Sequence, residues 1–230
     1  MVKRQLQTRH AFTMIELVFA IVIIAIAVLA MPTIMFTNAA SQEQTLKEEA
    51  IMLTTTKIAQ ILTYPWDANS SPLGVLMSTS QVLGTVANPP LGLERNATTD
   101  FRIGHFPNQL RRRMTPFSNE RNATGIGGIF GSNISSFNGD QVTIGAAGAD
   151  QVYKKQYRMT TTVTYVTDNT NYGLNIITFD FNTTATGLSN IKMVQVTTDE
   201  QDTTGTWIPI VQMTSYSTNI GEAEFYKRRY

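Results

Sequence analysis

The sequence contains no cysteine, which excludes disulfide bonds and cysteine-bound metal sites. Charged residues account for only 15% of the chain, against roughly 25% in an average globular domain. Threonine, asparagine, serine and glycine are abundant instead, a composition typical of a β-rich domain outside the cytoplasm. Such a domain must be stabilised by the packing of its core, because no disulfide is available.

Residues that commonly carry catalysis are also scarce, with only two histidines, His10 and His105. The sequence has no HExxH zinc motif and no GxSxG nucleophile motif. The glycine-rich stretch 125–128 lacks the lysine of a phosphate-binding loop, and we interpret both this stretch and His105 as loop positions. We therefore predict neither an enzymatic activity nor a cofactor. A membrane-tethered hydrolase that uses an acidic pair, such as Asp199 and Asp202, stays open as an alternative.

The N-terminus combines a basic start with a long apolar run. Three basic residues and no acidic one precede Phe12, and the run from Leu17 to Phe36 carries no charge. At about 20 residues this run can span a bilayer as a helix, and we place the membrane-spanning part at about 15–36. A carboxylate within such a segment costs on the order of 2.5–3.5 kcal/mol, so Glu16 requires an explanation.

Three interpretations of this N-terminus compete. A secretory signal peptide has a shorter apolar core of roughly 7–15 residues without an acid, and the small residues near Ala30 would serve as its cleavage site. A plain membrane anchor fits the length but leaves Glu16 unexplained. The third interpretation is a resemblance to the processing site of type IV prepilins and type II secretion pseudopilins, carried by Arg9-His10-Ala11, Phe12-Thr13-Met14-Ile15-Glu16-Leu17 and the aliphatic run that follows.

This resemblance implies that residues 1–11 are a prepilin leader. A prepilin peptidase would cut between Ala11 and Phe12 and methylate the new amine of Phe12. Glu16 would then neutralise the N-terminal amine of a neighbouring subunit in a filament, which offsets the cost of burying a lone carboxylate. Two positions differ from the family pattern: Ala11 stands where glycine is usual, and Pro32 lies one place closer to the cut than the common helix proline.

The resemblance also implies a function. It predicts a structural subunit, a minor pilin or pseudopilin, of a type IV pilus or a type II secretion filament. Its partners would be the prepilin peptidase, other pilin or pseudopilin subunits, the inner-membrane assembly platform and, before assembly, membrane lipid. The chain would cross the inner membrane once, with its C-terminal domain in the periplasm or, in a pilus, outside the cell. The sequence does not distinguish a pilus from a secretion or DNA-uptake system, and a non-polymerising, membrane-anchored adhesin domain is the alternative.

The predicted fold is α+β. A helix is expected from 12 to 64, apolar at first and amphipathic from Ser41 to Leu62, with Lys57 on its polar face. Tyr64-Pro65 is expected to end the helix, because a residue before proline is disfavoured in helical geometry. Residues 65–150 are rich in turn-forming residues, and we interpret them as a loop-rich variable region.

Residues 151–230 are predicted to form an antiparallel sheet that packs on the helix. Threonine, valine and aromatic residues are concentrated in segments bounded by turn residues, as in half-buried strands. The predicted strands are Tyr157–Thr167, Leu174–Phe181, Ile191–Thr198 and Thr206–Ser217. A proline within the last of them, Pro209, predicts an edge strand or a bulge.

An acidic group between the last two predicted strands is a weak candidate for calcium binding. Asp199, Glu200 and Asp202 offer several oxygen ligands within a short loop, and Ca²⁺ requires such ligands. Their spacing does not match an EF-hand, and we predict no metal site.

Arg111, Arg112 and Arg113 form the densest basic cluster, which is a weak candidate for contacts with nucleic-acid phosphates. Without the leader, however, 15 basic residues stand against 17 acidic ones, which argues against a general nucleic-acid binder. We therefore expect no nucleic-acid partner.

Overall fold

The computed structural model describes residues 13–70, 122–145 and 155–220, except residues 169, 172, 173 and 177. The chain divides into two compact units, residues 1–48 and 49–230. In the first unit the described residues from Met14 onward are helical. Their helix, α1, spans Met14–Leu62 and therefore continues into the second unit.

α1 contains Pro32 in its interior and does not end there, as the sequence predicts. It ends two residues before the predicted boundary, in a tightened last turn where the Tyr64 amide donates to the Ile61 carbonyl at 3.1 Å. Pro65 follows directly. Three consecutive threonines, residues 54–56, are accommodated because each hydroxyl donates to the carbonyl four residues earlier, at 2.6–2.8 Å.

The second unit contains a four-stranded antiparallel sheet with the strand order β1-β2-β3-β4. Its strands are β1 Gln141–Ile144, β2 Tyr157–Val166, β3 Ile191–Gln201 and β4 Trp207–Thr218. Each strand pairs with the one before it in sequence, so the sheet is a meander. The α+β prediction is confirmed, and β2, β3 and β4 lie close to three of the predicted strands.

Two predictions about the sheet were wrong. The described residues of Leu174–Phe181 form no strand, and β1 lies inside the region interpreted as loop. Both results have one cause, which is that the edge of β2 opposite β3 is already paired. The Gly139 amide donates to the Thr161 carbonyl and the Thr161 amide donates to the Asp140 carbonyl, both at 2.9 Å, and β1 then pairs with the first residues of β2. Farther along β2, the Ala185 amide donates to the Tyr165 carbonyl at 2.8 Å. Leu174–Phe181 therefore has no free edge of β2 on which to pair.

Pro209 lies on an edge strand and beside a bulge. β4 is the last strand of the sheet, and its pairing with β3 shifts register between Thr198 and Asp199. Thr198 pairs with Val211 and Asp199 pairs with Pro209, so β4 contains one extra residue. A proline is tolerated here because it removes no hydrogen bond from the interior of the sheet.

The core lies between the second half of α1 and one face of the sheet. Ile58 and Ile61 of α1 pack in one cluster with Val163, Val194 and Val196. The same cluster includes Ile134 and Phe137, which belong to a short 3-10 helix, Ile134–Phe137, before β1. Lys57, which we expected on the polar face of α1, is only 7% exposed, and that expectation was wrong.

Candidate functional site

In the first unit, the large apolar side chains of α1 between Met14 and Phe36 are exposed. Of the described helices, α1 is the one that is long and apolar enough to cross a membrane, and its most apolar stretch has no buried residue. Removing one large apolar side chain from water is worth about 1.5–3 kcal/mol, so this surface favours contact with lipid or protein. Side chains that are more than half exposed include Ile15, Val18, Phe19, Ile23, Ile24, Leu29 and Phe36.

Glu16 lies in the first turn of this helix, where its amide donates to the Thr13 carbonyl at 3.0 Å. The side chain is exposed, and its sequence neighbours Ile15 and Leu17 are exposed as well. A negative charge in the first turn is favourable, because the unpaired amides there carry a partial positive charge. Glu16 is also the one charged residue between positions 13 and 42. The helix therefore carries a single accessible carboxylate at the start of its apolar surface.

In the second unit, a buried ion pair joins β3 to the segment after α1. Lys192 Nζ lies 3.0 Å from Asp67 Oδ2, and neither side chain is exposed. The ammonium also donates to the Trp66 carbonyl at 2.7 Å and lies 4.0 Å from the centre of the Trp66 ring. Burial lowers the pKa of Lys192, and the attraction of Asp67 opposes that shift.

Asp67 also binds the segment that contains Thr124. Its carboxylate accepts hydrogen bonds from the amide and the hydroxyl of Thr124 at 3.1 Å and from the Asn69 amide at 3.0 Å. Tyr165 of β2 donates its hydroxyl to the Thr124 carbonyl at 2.7 Å, and burial raises the pKa of this tyrosine. Asp67 and Lys192 thus tie three distant parts of the chain together.

A second ion pair connects α1 to the residue before β1. Lys57 Nζ lies 2.6 Å from Asp140 Oδ2, with the two side chains 7% and 11% exposed. The same ammonium lies 5.5 Å from the centre of the Phe137 ring. The Lys192–Asp67 pair is closed to solvent and the Lys57–Asp140 pair is slightly exposed. Both pairs fix the positions of the segments that they join.

The calcium candidates have separate partners. Asp199 binds the Arg158 guanidinium through two nitrogens at 2.6 and 3.0 Å, and Glu200 binds Lys155 at 2.6 Å. Asp202 accepts bonds from the Thr204 hydroxyl and from backbone amides of its own turn, which lower its pKa. In the described parts of the chain, no three histidine or acidic residues are grouped as a metal site requires. The calcium hypothesis therefore gains no support from the geometry.

Comparison with known families adds one result. Residues 6–32 match the family described as the prokaryotic N-terminal methylation motif. The chain carries the hallmark of the type IV prepilins and pseudopilins. The match ends at residue 32 and does not cover the second unit. No curated protein and no solved structure matches the chain.

The match supports a type IV pilin-like protein, and the family that carries this motif is structural rather than catalytic. A motif of this kind implies processing by prepilin peptidase and assembly with other pilins. The exposed apolar helix is consistent with membrane anchoring of a prepilin-like protein.

Several residues singled out in the sequence lie outside the described part of the structure. They are Ala11, Phe12, His105, Arg111, Arg112 and Arg113. Glu16 lies within the described residues.

The two buried ion pairs were not anticipated from the sequence. One signal was available for Lys192, because side chains in a strand alternate between faces and Lys192 shares a face with Val194 and Val196. Both valines are fully buried, so a lysine two residues before them falls in the core. For Lys57, helical periodicity predicted a position on the polar face of α1 and gave no such signal.

Proposed function

We propose that this chain is a structural subunit of a type IV pilus or a type II secretion filament, in the class of minor pilins and pseudopilins. The observation that carries the proposal is Glu16, a single exposed carboxylate in the first turn of an uncovered apolar helix. It lies within residues 6–32, which match the methylation motif. A lone carboxylate at this place needs a cation, and a processed neighbour supplies one.

The proposed mechanism begins with processing. Prepilin peptidase removes residues 1–11 and methylates the amine of Phe12, which leaves a positive charge four residues before Glu16. The amine of one subunit then pairs with Glu16 of the next subunit in the filament. In a medium of low polarity, such an ion pair offsets much of the desolvation that a single buried charge would suffer. The pairing therefore sets the register of neighbouring helices.

The apolar surface of α1 provides the second part of the mechanism. Its side chains avoid water equally well in a bilayer and in the interior of a helical filament, because both environments are apolar. The subunit is held in the inner membrane with its second unit in the periplasm. An assembly platform then transfers the helix from the membrane to the filament. Little of its apolar surface is exposed to water before the transfer, in the membrane, or after it, in the filament.

Replacing Glu16 tests this proposal. Glu16→Ala should be processed normally but lost from the filament fraction, because breaking a buried ion pair costs about 3–5 kcal/mol, or on the order of a hundredfold or more in occupancy. Glu48→Ala is the matched control, since Glu48 is an exposed acid on the same helix beyond its apolar stretch. Processing and filament incorporation are measured by immunoblot of membrane and sheared-fibre fractions from the native host.

Normal incorporation of Glu16→Ala would contradict the pairing. If the unaltered chain never leaves the membrane fraction, the non-polymerising adhesin becomes the better explanation.

A further inference from the structure

Three exposed aromatic rings pack together in the second unit. Phe179 and Phe181 stack with their ring planes 10° apart and 5.4 Å between ring centres, and the ring centre of Phe181 lies 4.7 Å from that of Tyr216 on β4. The three side chains are 37–42% exposed. Among the described residues, exposed rings contact each other only at this place, because the ring that Phe130 contacts, Phe137, is buried. We refer to the three rings as the aromatic stack.

The aromatic stack lies on the side of the sheet that is turned away from the core. Tyr216 pairs with Met193 of β3, and Met193 pairs with Thr164 of β2. The strand neighbours of Met193 and Thr164, Val194 and Val163, are buried in the core. Because side chains alternate between the two faces of a sheet, the first three residues share the opposite face. We call this the outer face.

The outer face offers hydrogen-bonding groups without net charge. The charged residues of β2 and β3 on this face are Arg158 and Asp199, which bind each other at 2.6 Å and lie about 20 Å from Thr164 along the strands. Closer to the aromatic stack the polar side chains are neutral hydroxyls and an amide, from Thr162, Thr164, Gln195 and Thr214. Such groups both donate and accept hydrogen bonds, so they match a ligand with many hydroxyl groups.

A cavity opens at Thr164, in register with Tyr216 of the aromatic stack. Its volume is about 300 Å³, and the residues that line it include Thr164 and the segment 185–188. Thr164 Oγ1 is buried and has no hydrogen-bond partner within the described structure, which is unfavourable for a hydroxyl. The segment 181–188 leads from the aromatic stack to the cavity along the edge of β2, where the Ala185 amide donates to the Tyr165 carbonyl at 2.8 Å.

Asp180 places a carboxylate beside the aromatic stack, between Phe179 and Phe181 in sequence. It accepts hydrogen bonds from the Asn182 amide at 2.9 Å and from the Thr183 hydroxyl at 2.7 Å, and these bonds lower its pKa. A carboxylate has about four acceptor positions, so it can also accept bonds from the hydroxyl groups of a ligand. Its negative charge disfavours an acidic ligand.

We propose that the outer face of the second unit binds a neutral polysaccharide beside the aromatic stack. A sugar ring has C–H groups on its faces and hydroxyl groups around its rim, so it pairs with aromatic rings that lie next to neutral hydrogen-bonding groups. One sugar contacts the aromatic stack and donates to Asp180. The polysaccharide continues across two strand spacings, about 10 Å, to the cavity, where one of its hydroxyl groups pairs with Thr164 Oγ1.

The size of the aromatic stack favours such a ligand over a protein partner. At about two-fifths exposure, three rings of roughly 200 Å² each offer on the order of 250 Å². A stable protein interface buries about 800 Å² on each partner. Sugar binding on the outer face uses no residue of α1 and is independent of the proposed function.

Retention on polysaccharide particles tests this site. The full-length chain is purified in a zwitterionic detergent, because a detergent with a sugar headgroup would compete for the site. It is mixed with particles of amylose, cellulose or chitin, and the bound and free fractions are compared by electrophoresis. Tyr216→Ala removes one ring of the aromatic stack, and Thr164→Val removes the hydroxyl in the cavity and keeps the shape of the side chain. Phe130→Ala is the matched control, since Phe130 is an exposed ring outside the aromatic stack.

The unaltered chain and Phe130→Ala should be retained on at least one of the polymers and released by soluble oligosaccharide of the same sugar, but not by molar salt. Tyr216→Ala should bind about tenfold less, because it loses one ring contact. Thr164→Val should bind severalfold less, and both variants should keep the urea midpoint of the unaltered chain.

Three results would overturn the proposal: no retention of the unaltered chain on any of the polymers, equal retention of Tyr216→Ala or Thr164→Val, and release by salt, which indicates an ionic contact. None of these results bears on the pairing of Glu16, which the filament assay tests separately.

Discussion

Ile24, in the first unit, is 61% exposed, whereas Lys192, in the second unit, is not exposed at all. The two units thus depart from the usual burial pattern in opposite directions. The second unit provides its own partners for buried charges, as Asp67 does for Lys192 and Asp140 does for Lys57. In the described part of the first unit, the large apolar side chains of α1 at residues 14–36 and the carboxylate of Glu16 are exposed. Exposed apolar side chains favour contact with lipid or protein, and in the proposed function other subunits provide that contact and the cation for Glu16.

The largest effect is expected when a buried charge loses its partner. Asp67→Ala should lower the free energy of unfolding of the second unit by about 3–5 kcal/mol, because Lys192 is left uncompensated in the core. Ile24→Ala should change it by less than about 0.5 kcal/mol, because the side chain is exposed. Urea unfolding in detergent, followed by tryptophan fluorescence, reports on this unit because Trp66 and Trp207 both belong to it.

The double variant Asp67→Ala with Lys192→Met is the control for this experiment. It should recover a large part of the loss, because it removes the unpaired charge as well as the carboxylate. If Ile24→Ala and Asp67→Ala have equal effects, the contrast between the two units is wrong.

A smaller loss is expected at the second ion pair. Asp140→Ala should destabilise the second unit by about 2 kcal/mol, which is typical for a hydrogen bond to a charged group. The loss should be smaller than at Asp67, because Asp140 is 11% exposed and solvent can reach the site. The same fluorescence assay measures it. A loss larger than that of Asp67→Ala would show that the Lys57 pair is the more important of the two.

A pH effect is expected from Tyr157, whose hydroxyl donates to Glu49 of α1 at 2.9 Å. Burial, together with Glu49, raises the pKa of Tyr157 well above its ordinary value of 10.0. The folded state therefore holds the proton more tightly than the unfolded state. The stability that Tyr157 contributes is complete below pH 10 and is lost as the pH rises beyond it. Tyr157→Phe should flatten this alkaline decline in the unfolding assay, and an unchanged slope would contradict the assignment.

The smallest effect is expected from calcium. The three acidic side chains already have partners. Asp199 pairs with Arg158, Glu200 pairs with Lys155, and Asp202 accepts a hydrogen bond from Thr204 of its own turn. Millimolar calcium or a chelator should therefore leave the melting temperature of the second unit unchanged. A shift of several degrees that Asp202→Asn abolishes would restore the calcium site.

The sequence predicts the features that depend on local pattern. The apolar run predicts α1, and the threonine and valine alternation predicts β2, β3 and β4. The position of Pro209 predicts an edge strand or a bulge, and the structure has both. The helix and the strands follow from the repeat of apolar side chains, every 3.6 residues in a helix and every second residue in a strand, which is visible within ten or twenty residues.

The features that depend on distant pairing were missed. Leu174–Phe181 has the composition of a strand, but the neighbouring edge of β2 is already occupied, and only the tertiary structure decides which segment pairs there. Lys192 and Asp67 are 125 positions apart, so no local pattern indicates that they meet. The pairing of Glu16 stays a prediction, because it involves a second chain.

The mature N-terminus, determined by mass spectrometry of the protein from its native host, is the most direct test of the account. We predict that the mature chain begins at Phe12, carries a methyl group on its amine and is found in a filament fraction. A chain that still begins at Met1, or that is cut near Ala30 and released, would contradict it.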